Sequence, residues 1–278
     1  MPFTVVDAKS IPPGITRLWF ASTILNFEAL KVNPECIAWN SKRIKGRFEP
    51  TDALLSDDPV AIVAYGPSLQ DTWPLLKDFK AVITCSGSHK FLLNRGITPT
   101  YHVESDPRIH KADMLGAPSQ ETTYLVASIC HPRYFDTLEG YKVKLWHILF
   151  EEPAVYSLVP KGDWILTGGN TVGPRAIKIA RLLGFVNLHL FGFDGSGKHA
   201  GEHGNPVPDH KFRKVNVAGQ SYLTTENLFT HMELLFKDLC FIPDARFTFH
   251  GEGLIQAIAK QKKFEFVDGW PLAVAKDD

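Results

Sequence analysis

Three strand-like apolar runs in this sequence end in glycine-rich turns, and each turn is followed by a helix-like segment. The turns occupy residues 66–69, 167–173 and 250–254. A strand that ends in small residues and opens a helix leaves main-chain N–H groups without partners, and such groups bind phosphate through hydrogen bonds and the helix dipole. Several turns of this kind at the carboxyl edge of one sheet predict a site for a nucleotide-type ligand.

The three turns supply the predicted ligand-binding residues. Their main-chain amides would contact the phosphate or the ribose of a nucleotide, and that contact requires no charged side chain. Close packing between a strand and a helix also selects glycine, and it remains the alternative. The predicted nucleotide- or phosphate-binding residues are Gly66, Pro67, Ser68, Gly168, Gly169, Asn170, Thr171, Gly251, Gly253 and Leu254.

A long polar loop begins at Asp194, shortly after the strand-like run 187–191. The carboxyl edge of an α/β sheet carries catalytic side chains, and imidazole titrates near neutral pH. We therefore predict Asp194 and His199 as the catalytic residues. Capping of the local turn is the alternative role for Asp194. His203 is a further candidate, and because Gly201 separates the two histidines, no zinc geometry is enforced.

Two carboxylates and a guanidinium occur at the end of the strand-like run 100–104. Glu104, Asp106 and Arg108 have the chemistry to bind a divalent cation and a phosphate, or a ribose and a phosphate. Alternation along the strand places Glu104 and Asp106 on the same side, which favours this interpretation. In the alternative, Asp106-Pro107 only begins a turn and Arg108 is solvated. Mg²⁺ is the cofactor that these acidic residues suggest, and no metal site is certain.

Three common motifs are incomplete or absent. Residues 192–198 match most of a P-loop pattern, but the glycine-rich segment that follows contains Pro206 and cannot form the helix that a P-loop requires. The sequence has neither the GxSxG elbow of a hydrolase nor the GxGxxG fingerprint of a nicotinamide dinucleotide site. P-loop phosphotransfer, serine hydrolysis and NAD-dependent redox chemistry are therefore disfavoured.

The composition limits the compartment and the partners. The chain has 278 residues, 44% of them hydrophobic, with 30 basic and 30 acidic residues. This balance gives no strong signal for nucleic acid or for an anionic membrane. The 4 cysteines are scattered without a CxxC pair, and Cys85 and Cys130, in or beside apolar runs, are most simply buried thiols in a reducing compartment. We recognise no secretory leader and no run of about 18 apolar residues, so we expect a cytoplasmic protein without a membrane span.

Strand and helix signals alternate from residue 60 to about residue 195. This alternation predicts an α/β, Rossmann-like fold, in which a mostly parallel sheet carries helices on both faces. Residues 195–224 interrupt this alternation. The glycine-rich part, residues 195–206, cannot form regular structure and predicts a long polar loop with a function. The predicted strands are 60–65, 81–85, 100–104, 124–128, 143–149, 164–166 and 187–191; the predicted helices are 68–78, 89–94, 131–138, 174–183 and 225–239; and 246–260 is a strand, a turn and a helix.

A polar stop at residues 56–59 divides the chain. Prolines interrupt the periodicity before it, so we expect residues 1–58 to form a mainly helical N-terminal appendage that packs on the main domain. The Rossmann-like domain then spans 59–265, and residues 266–278 form a C-terminal tail.

The landmarks of the main domain resemble those of the 6-hydroxymethylpterin diphosphokinase MptE-like family. The similarity covers roughly residues 60–260. One departure is Ala64-Tyr65, where relatives have glycine and a small or amide residue, and the tyrosine ring narrows the phosphate cradle. The matching segments are Gly66-Pro67-Ser68-Leu69, Ser105-Asp106-Pro107, 168–173, 190–194 and His199-Ala200.

This resemblance implies a transferase, but the family divides in function. Archaeal members transfer diphosphate from ATP to a hydroxymethylpterin with Mg²⁺. Related bacterial proteins add nonulosonic acids to flagellin, and more distant sialyltransferases use CMP-sugars. The resemblance therefore implies a nucleotide or nucleotide-sugar donor and leaves the acceptor unknown.

Three hypotheses for the function follow. The first is glycosyl transfer from a nucleotide-activated sugar. The second is Mg²⁺-dependent diphosphate transfer from ATP to a hydroxymethylpterin-like substrate, with Glu104, Asp106 and Asp194 as the magnesium ligands. The third is a catalytically silent nucleotide-binding protein, which the unusual Tyr65 favours.

Overall fold

The structure is a computed structural model. It describes residues 3–4, 18–19, 24–25, 33–51, 55–148, 150, 155, 157–166, 169–197, 212–240, 242–261, 265–267 and 270–272.

The chain alternates strands and helices over most of its described length. The strands are β1 (Phe3–Thr4), β2 (Leu18–Trp19), β3 (Ile24–Leu25), β4 (Ser56–Val63), β5 (Ala81–Cys85), β6 (Tyr101–Glu104), β7 (Thr123–Ala127), β8 (Lys142–Ile148), β9 (Ile165–Leu166), β10 (Phe185–Phe191), β11 (Phe212–Val217), β12 (Gln220–Thr225), β13 (Arg246–His250), β14 (Glu265–Val267) and β15 (Trp270–Leu272). The helices are α1 (Glu35–Arg43), α2 (Leu69–Thr72), a 3-10 helix (Trp73–Asp78), α3 (Ser88–Leu93), α4 (Lys111–Met114), α5 (Pro132–Asp136), α6 (Val172–Leu182), α7 (Glu226–Leu239) and α8 (Leu254–Lys260).

A 9-stranded sheet with the order β13-β10-β4-β5-β6-β7-β8-β9-β2 forms the centre of the fold. Every neighbouring pair in it is parallel. From β4 the chain adds β5 to β9 toward one edge, whereas β10 and β13 lie on the other side of β4. In open parallel sheets, ligands bind outside the carboxyl ends of the strands at such a reversal of strand order.

Both faces of the sheet are covered, which explains why residues 60–63 of the interior strand β4 are a continuous apolar run. Val60 and Ile62 of β4 belong to the larger core cluster, and Ala61 and Val63 belong to a second cluster. Alternate residues of a strand point to opposite faces, so the two clusters lie on opposite sides of the sheet. Helix α6 covers the first face and contacts β4, β5 and β10, while α2, the 3-10 helix and α3 contribute to the second cluster.

The structure confirms the predicted Rossmann-like fold class, and the strands and helices that form the sheet and its two covering layers lie where they were predicted. One boundary differs by four residues, because β4 begins at Ser56 instead of residue 60. Ser56 is paired with Phe185 of β10, and its N–H donates to the Gly184 carbonyl at 2.8 Å. The polar segment 56–59 is therefore the exposed start of a strand and not a stop.

In the segment that interrupts the alternation, for which no strand was predicted, β11 and β12 form an antiparallel hairpin. Its two-residue turn has positive φ at Ala218 (49°) and Gly219 (77°), as a type I′ turn requires. The Gly197 N–H donates to the Leu223 carbonyl at 2.9 Å, which joins the hairpin to the loop after β10. Turns of this type usually contain asparagine and glycine, so Ala-Gly gave a weak signal.

The described part of the predicted appendage shares the main core. Asn40 of α1 is fully buried and donates from Nδ2 to the carbonyls of Ser128 at 2.8 Å and Cys130 at 2.9 Å. These carbonyls follow β7, so α1 is held against the central sheet. The short strands β1, β2 and β3 are also described in this region, and the helical character of residues 1–58 as a whole stays a prediction.

The predicted C-terminal boundary at residue 265 coincides with the start of the antiparallel hairpin β14–β15. Within the described residues, no helix has the length and apolar character needed to span a membrane.

Asn40→Ala tests whether α1 belongs to the main core. The substitution leaves two main-chain carbonyls without their donor, and an unsatisfied buried polar group costs about 1–3 kcal/mol. We expect the free energy of unfolding in urea to fall by about that amount. Lys42→Ala on the exposed side of α1 is the control and should change it by less than about 0.5 kcal/mol. Equal free energies of unfolding for the two variants would show that α1 does not stabilise the core.

Candidate functional site

A cleft of about 530 Å³ lies at the carboxyl edge of the sheet. It is lined by segments that follow β4, β5, β6 and β10 and by the start of α6. Its size is typical of sites for small-molecule ligands, and it is located at the reversal of the strand order. The fold therefore brings residues of two predicted turns, 66–69 and 167–173, to the cleft, whereas residues 250–254 are not part of its lining.

Close backbone contacts join the turn after β4 to the turns after β10 and β13. The Gly66 N–H donates to the Gly192 carbonyl at 2.9 Å, and a Cβ at Gly66 would lie 2.5 Å from that oxygen. Gly251 has a φ of +95°, and a Cβ there would lie 2.4 Å from Ser68 Oγ. Glycine is therefore required at these positions by packing, which was the alternative considered from the sequence.

The carboxylate of Asp194 connects the same three turns. It is 3% exposed, and Oδ2 accepts a hydrogen bond from the Ser68 N–H at 2.7 Å. Oδ1 accepts from Ser68 Oγ at 2.5 Å and from Gln256 Nε2 of α8 at 2.8 Å. An ionised carboxylate accepts several such bonds, and hydrogen bonds to charged groups are the stronger ones.

This arrangement corrects the predicted use of two turns. The amide of Ser68 is bonded to Asp194, the Leu254 N–H donates to Ser196 Oγ at 3.0 Å, and the Ile255 N–H donates to the Asp194 carbonyl at 3.1 Å. The phosphate contacts predicted for Ser68 and Leu254 therefore do not fit, because their amides already have acceptors within the protein. Asp194 has a structural role here as the acceptor that holds the turns together.

The remaining turn presents donors to the cleft. Thr171, the residue before α6, has an extended backbone and makes no capping hydrogen bond from its side chain. The first amides of a helix have no partner within it, and Val172 and Gly173 line the cleft. Asn170 lines the cleft as well, and its buried Oδ1 has no hydrogen-bond partner among the described residues. Gly168 lies outside the described residues.

Two buried cations line the cleft and were not predicted. Arg175 of α6 is 4% exposed and donates to Ser105 Oγ at 2.8 Å and to the Gly169 carbonyl at 2.9 Å. Burial lowers its pKa to about 10, so the guanidinium is protonated at neutral pH. Lys111 of α4 is 8% exposed, and its Nζ donates to Ser86 Oγ at 2.7 Å.

The position of Arg175 in the sequence could have indicated a site for an anion. It lies in the first turns of α6, where a cation is disfavoured by the helix dipole unless an anion is close. His231 of α7, which also lines the cleft, had no comparable signal.

The acidic residues predicted as magnesium ligands do not form a cluster. Glu104 Oε1 accepts from the amides of Ser105 at 2.8 Å and Asp106 at 3.0 Å, and burial raises the pKa of Glu104. Asp106 lines the cleft, but it is bonded to Arg108 and lies 3.4 Å from Lys111 Nζ. Burial opposes ionisation of Asp106, and these cations outweigh it and lower its pKa.

Asp194, the third predicted ligand, is held by Ser68 and Gln256, as described above. No group of three His, Cys, Asp or Glu side chains suited to a metal occurs in the described part of the chain. Glu104, Asp106 and Asp194 therefore do not converge into one cluster in this structure, and magnesium binding by these residues stays a prediction. The two predicted loop histidines, His199 and His203, lie outside the described residues.

Tyr65 lines the cleft and does not fill the turn after β4. Its ring packs against Gly87, where a Cβ would lie 2.9 Å from the ring, and meets the ring of Phe91 edge-on at a centroid distance of 5.9 Å. The tyrosine thus adds an apolar surface to the side of the cleft opposite α6.

The model of the family described as 6-hydroxymethylpterin diphosphokinase MptE-like matches residues 34–198, more than half of the chain. The structure is similar to the MAf glycosyltransferase from Magnetospirillum magneticum AMB-1, with a TM-score of 0.63 and 20% identity over 82% of this chain. The match covers 37% of that glycosyltransferase, so this chain spans little more than a third of it. At this identity the likeness shows a shared fold.

A weaker likeness involves a mammalian sialyltransferase in complex with Gal-beta-1-3GalNAc-ortho-nitrophenol. Its TM-score is 0.34 and its identity 13%, over 81% of this chain and 89% of the sialyltransferase. These values are too low to show a common fold. No curated protein matches the sequence.

Asp194→Asn tests the role of the buried carboxylate. The asparagine side chain has the same size, but an NH₂ group replaces one carboxylate oxygen and faces the donors of Ser68 or Gln256. A hydrogen bond to a charged group contributes about 1.5–3 kcal/mol to the stability of a protein. We expect the free energy of unfolding to fall by about this amount. Asp78→Asn, at an exposed position, is the control and should leave it unchanged. The same stability in both variants would contradict the role given to Asp194.

Proposed function

Because the chain belongs to the 6-hydroxymethylpterin diphosphokinase MptE-like family, we propose that it is a transferase that binds a nucleotide donor in the cleft. We propose further that the donor is a nucleotide-activated sugar and that the sugar is moved to an acceptor. The likeness in fold to a glycosyltransferase supports this choice. The acceptor is part of the proposal only as a class: a molecule with a nucleophilic group that reaches the cleft.

The observation that carries the proposal is the concentration of positive charge and amide donors on one wall of the cleft. The start of α6 contributes its first amides, Arg175 contributes a buried guanidinium, and Lys111 contributes an ammonium group. Glycosyl transfer from a nucleotide-sugar leaves a phosphate group with increased negative charge. Donors that are already oriented toward this charge stabilise the transition state.

The opposite wall suits the uncharged parts of a nucleotide-sugar. Tyr65 and Pro67 line it, and Gly87 lets the Tyr65 ring lie close to the backbone. Flat apolar surfaces of this kind bind a base or the face of a sugar ring. The cleft thus has one wall for the charged part of a donor and one for its rings.

Asn170 adds an acceptor between these walls. Its Oδ1 is buried without a partner among the described residues, and an unsatisfied buried polar atom is costly. A hydroxyl or N–H group of the donor would satisfy it. In this proposal Asp194 positions the turns, and the proton transfers belong to the predicted His199 or to the described His231, which lines the cleft.

Diphosphate transfer from ATP is a second candidate, because the family description names that reaction. It needs Mg²⁺ to neutralise the triphosphate. The three carboxylates expected to hold the ion do not converge, so the geometry favours the first candidate. Asp106 and Asp194 both line the cleft, and because Asp194 is held by Ser68 and Gln256, Asp106 is the one that would be available to an ion carried by the nucleotide.

Calorimetric titrations with CMP-sugars, UDP-sugars and ATP, each with and without Mg²⁺, test the proposal. We expect a nucleotide-sugar to bind without Mg²⁺, and Asn170→Ala to weaken its binding about tenfold through the loss of one hydrogen bond, at unchanged thermal stability. Asn94→Ala, at an exposed position, is the control. Binding of ATP alone, and only with Mg²⁺, would overturn glycosyl transfer in favour of the second candidate. Binding of a nucleotide-sugar without turnover would identify a silent binding protein.

A further inference from the structure

We infer that Ser86 is a positioning residue that holds the ammonium group of Lys111 toward the cleft, as a contact for the donor phosphate. This inference rests on the proposed function, since it assigns a residue to the binding of the donor phosphate. It also gives a reason for a serine, instead of a glycine, at a position with positive φ.

Ser86 has a φ of 52°, in the left-handed region that glycine adopts most readily. Among the described residues, Ala218 is the other residue besides glycine with positive φ. Such a conformation costs energy, and where it occurs in a binding site it is a reason to look for a function. Ser86 lies directly after β5 and lines the cleft.

The surroundings hold the turn in this conformation. Ser88 Oγ accepts from the Cys85 N–H at 3.0 Å and donates to the Val63 carbonyl at 2.7 Å, which connects the turn to β4. The Tyr65 ring packs against Gly87 on the other side. The turn is therefore fixed by its neighbours, and the side chain at position 86 is not what determines the backbone.

The hydroxyl of Ser86 has a specific partner. Lys111 Nζ donates to Ser86 Oγ at 2.7 Å and lies 3.4 Å from Asp106 Oδ2. An ammonium group has three N–H donors, so two of them point to these oxygens and one is left for a ligand in the cleft. A lysine side chain is long and flexible, and an anchored ammonium group loses less conformational entropy when it binds phosphate.

The residue type at position 86 distinguishes this role from simple packing. Glycine would adopt the same backbone with less strain but would offer no acceptor to Lys111. Serine therefore adds a hydroxyl at the cost of backbone strain. If the hydroxyl serves ligand binding, its removal should weaken the binding of the ligand without lowering the stability of the protein.

Ser86→Gly tests this separation by calorimetric titration with inorganic pyrophosphate and with the nucleotide-sugar that binds the wild type. We expect an equal or higher melting temperature, because the strain is relieved, and binding of both probes weakened at least fivefold. Ser86→Asn should restore most of the affinity, because asparagine tolerates positive φ and carries an acceptor.

Ala218→Gly is the matched control, since it relieves the same kind of strain in the β11–β12 turn and should leave affinity unchanged. Wild-type affinity in Ser86→Gly would overturn the role of Ser86 and leave the proposed function intact. A lower melting temperature together with unchanged affinity would assign Ser86 to stability alone. If the wild type binds neither probe, both the proposed function and this inference are wrong.

Discussion

The buried carboxylate of Asp194 is the contact on which the shape of the site depends. It accepts hydrogen bonds from the amide and hydroxyl of Ser68 and from Gln256, and so joins the segments after β4 and β10 to helix α8. A negative charge that is 3% exposed is tolerated only where donors surround it. The Ser68 N–H was predicted to bind a phosphate, and in the structure it binds the carboxylate of Asp194 instead.

This internal anion divides the carboxyl edge into two parts with different roles. The turns bonded to Asp194 form a rigid support, while the start of α6 faces the cleft together with Arg175 and Lys111. The carboxylates of Asp106 and Glu104, and Asp238 near Arg175, compensate part of this positive charge. The phosphate groups of a ligand would add negative charge beside Arg175 and Lys111, and the apolar surface around Tyr65 would receive its rings.

The sheet was predictable because buried parallel strands such as β4 are continuous apolar runs, and the helices between them end at glycine. The hairpin β11–β12 was missed because an Ala-Gly turn is a weak signal. In the site, the sequence identified the three turns but could not show that Asp194 reaches the amide of Ser68, 126 positions earlier in the chain. For the same reason Lys111 and Ser86, which are 25 positions apart, had no detectable relation.

Hydrogen exchange measured by mass spectrometry, with and without a bound nucleotide-sugar, tests this division of the site most directly. We expect the amides around Ser68 to exchange slowly in both states, because Asp194 already accepts a hydrogen bond from the Ser68 N–H. We expect the amides at the start of α6, at Val172 and Gly173, to exchange rapidly in the free protein and to become protected by the ligand. Ligand-dependent protection around Ser68, with no change at the start of α6, would contradict this division of the site.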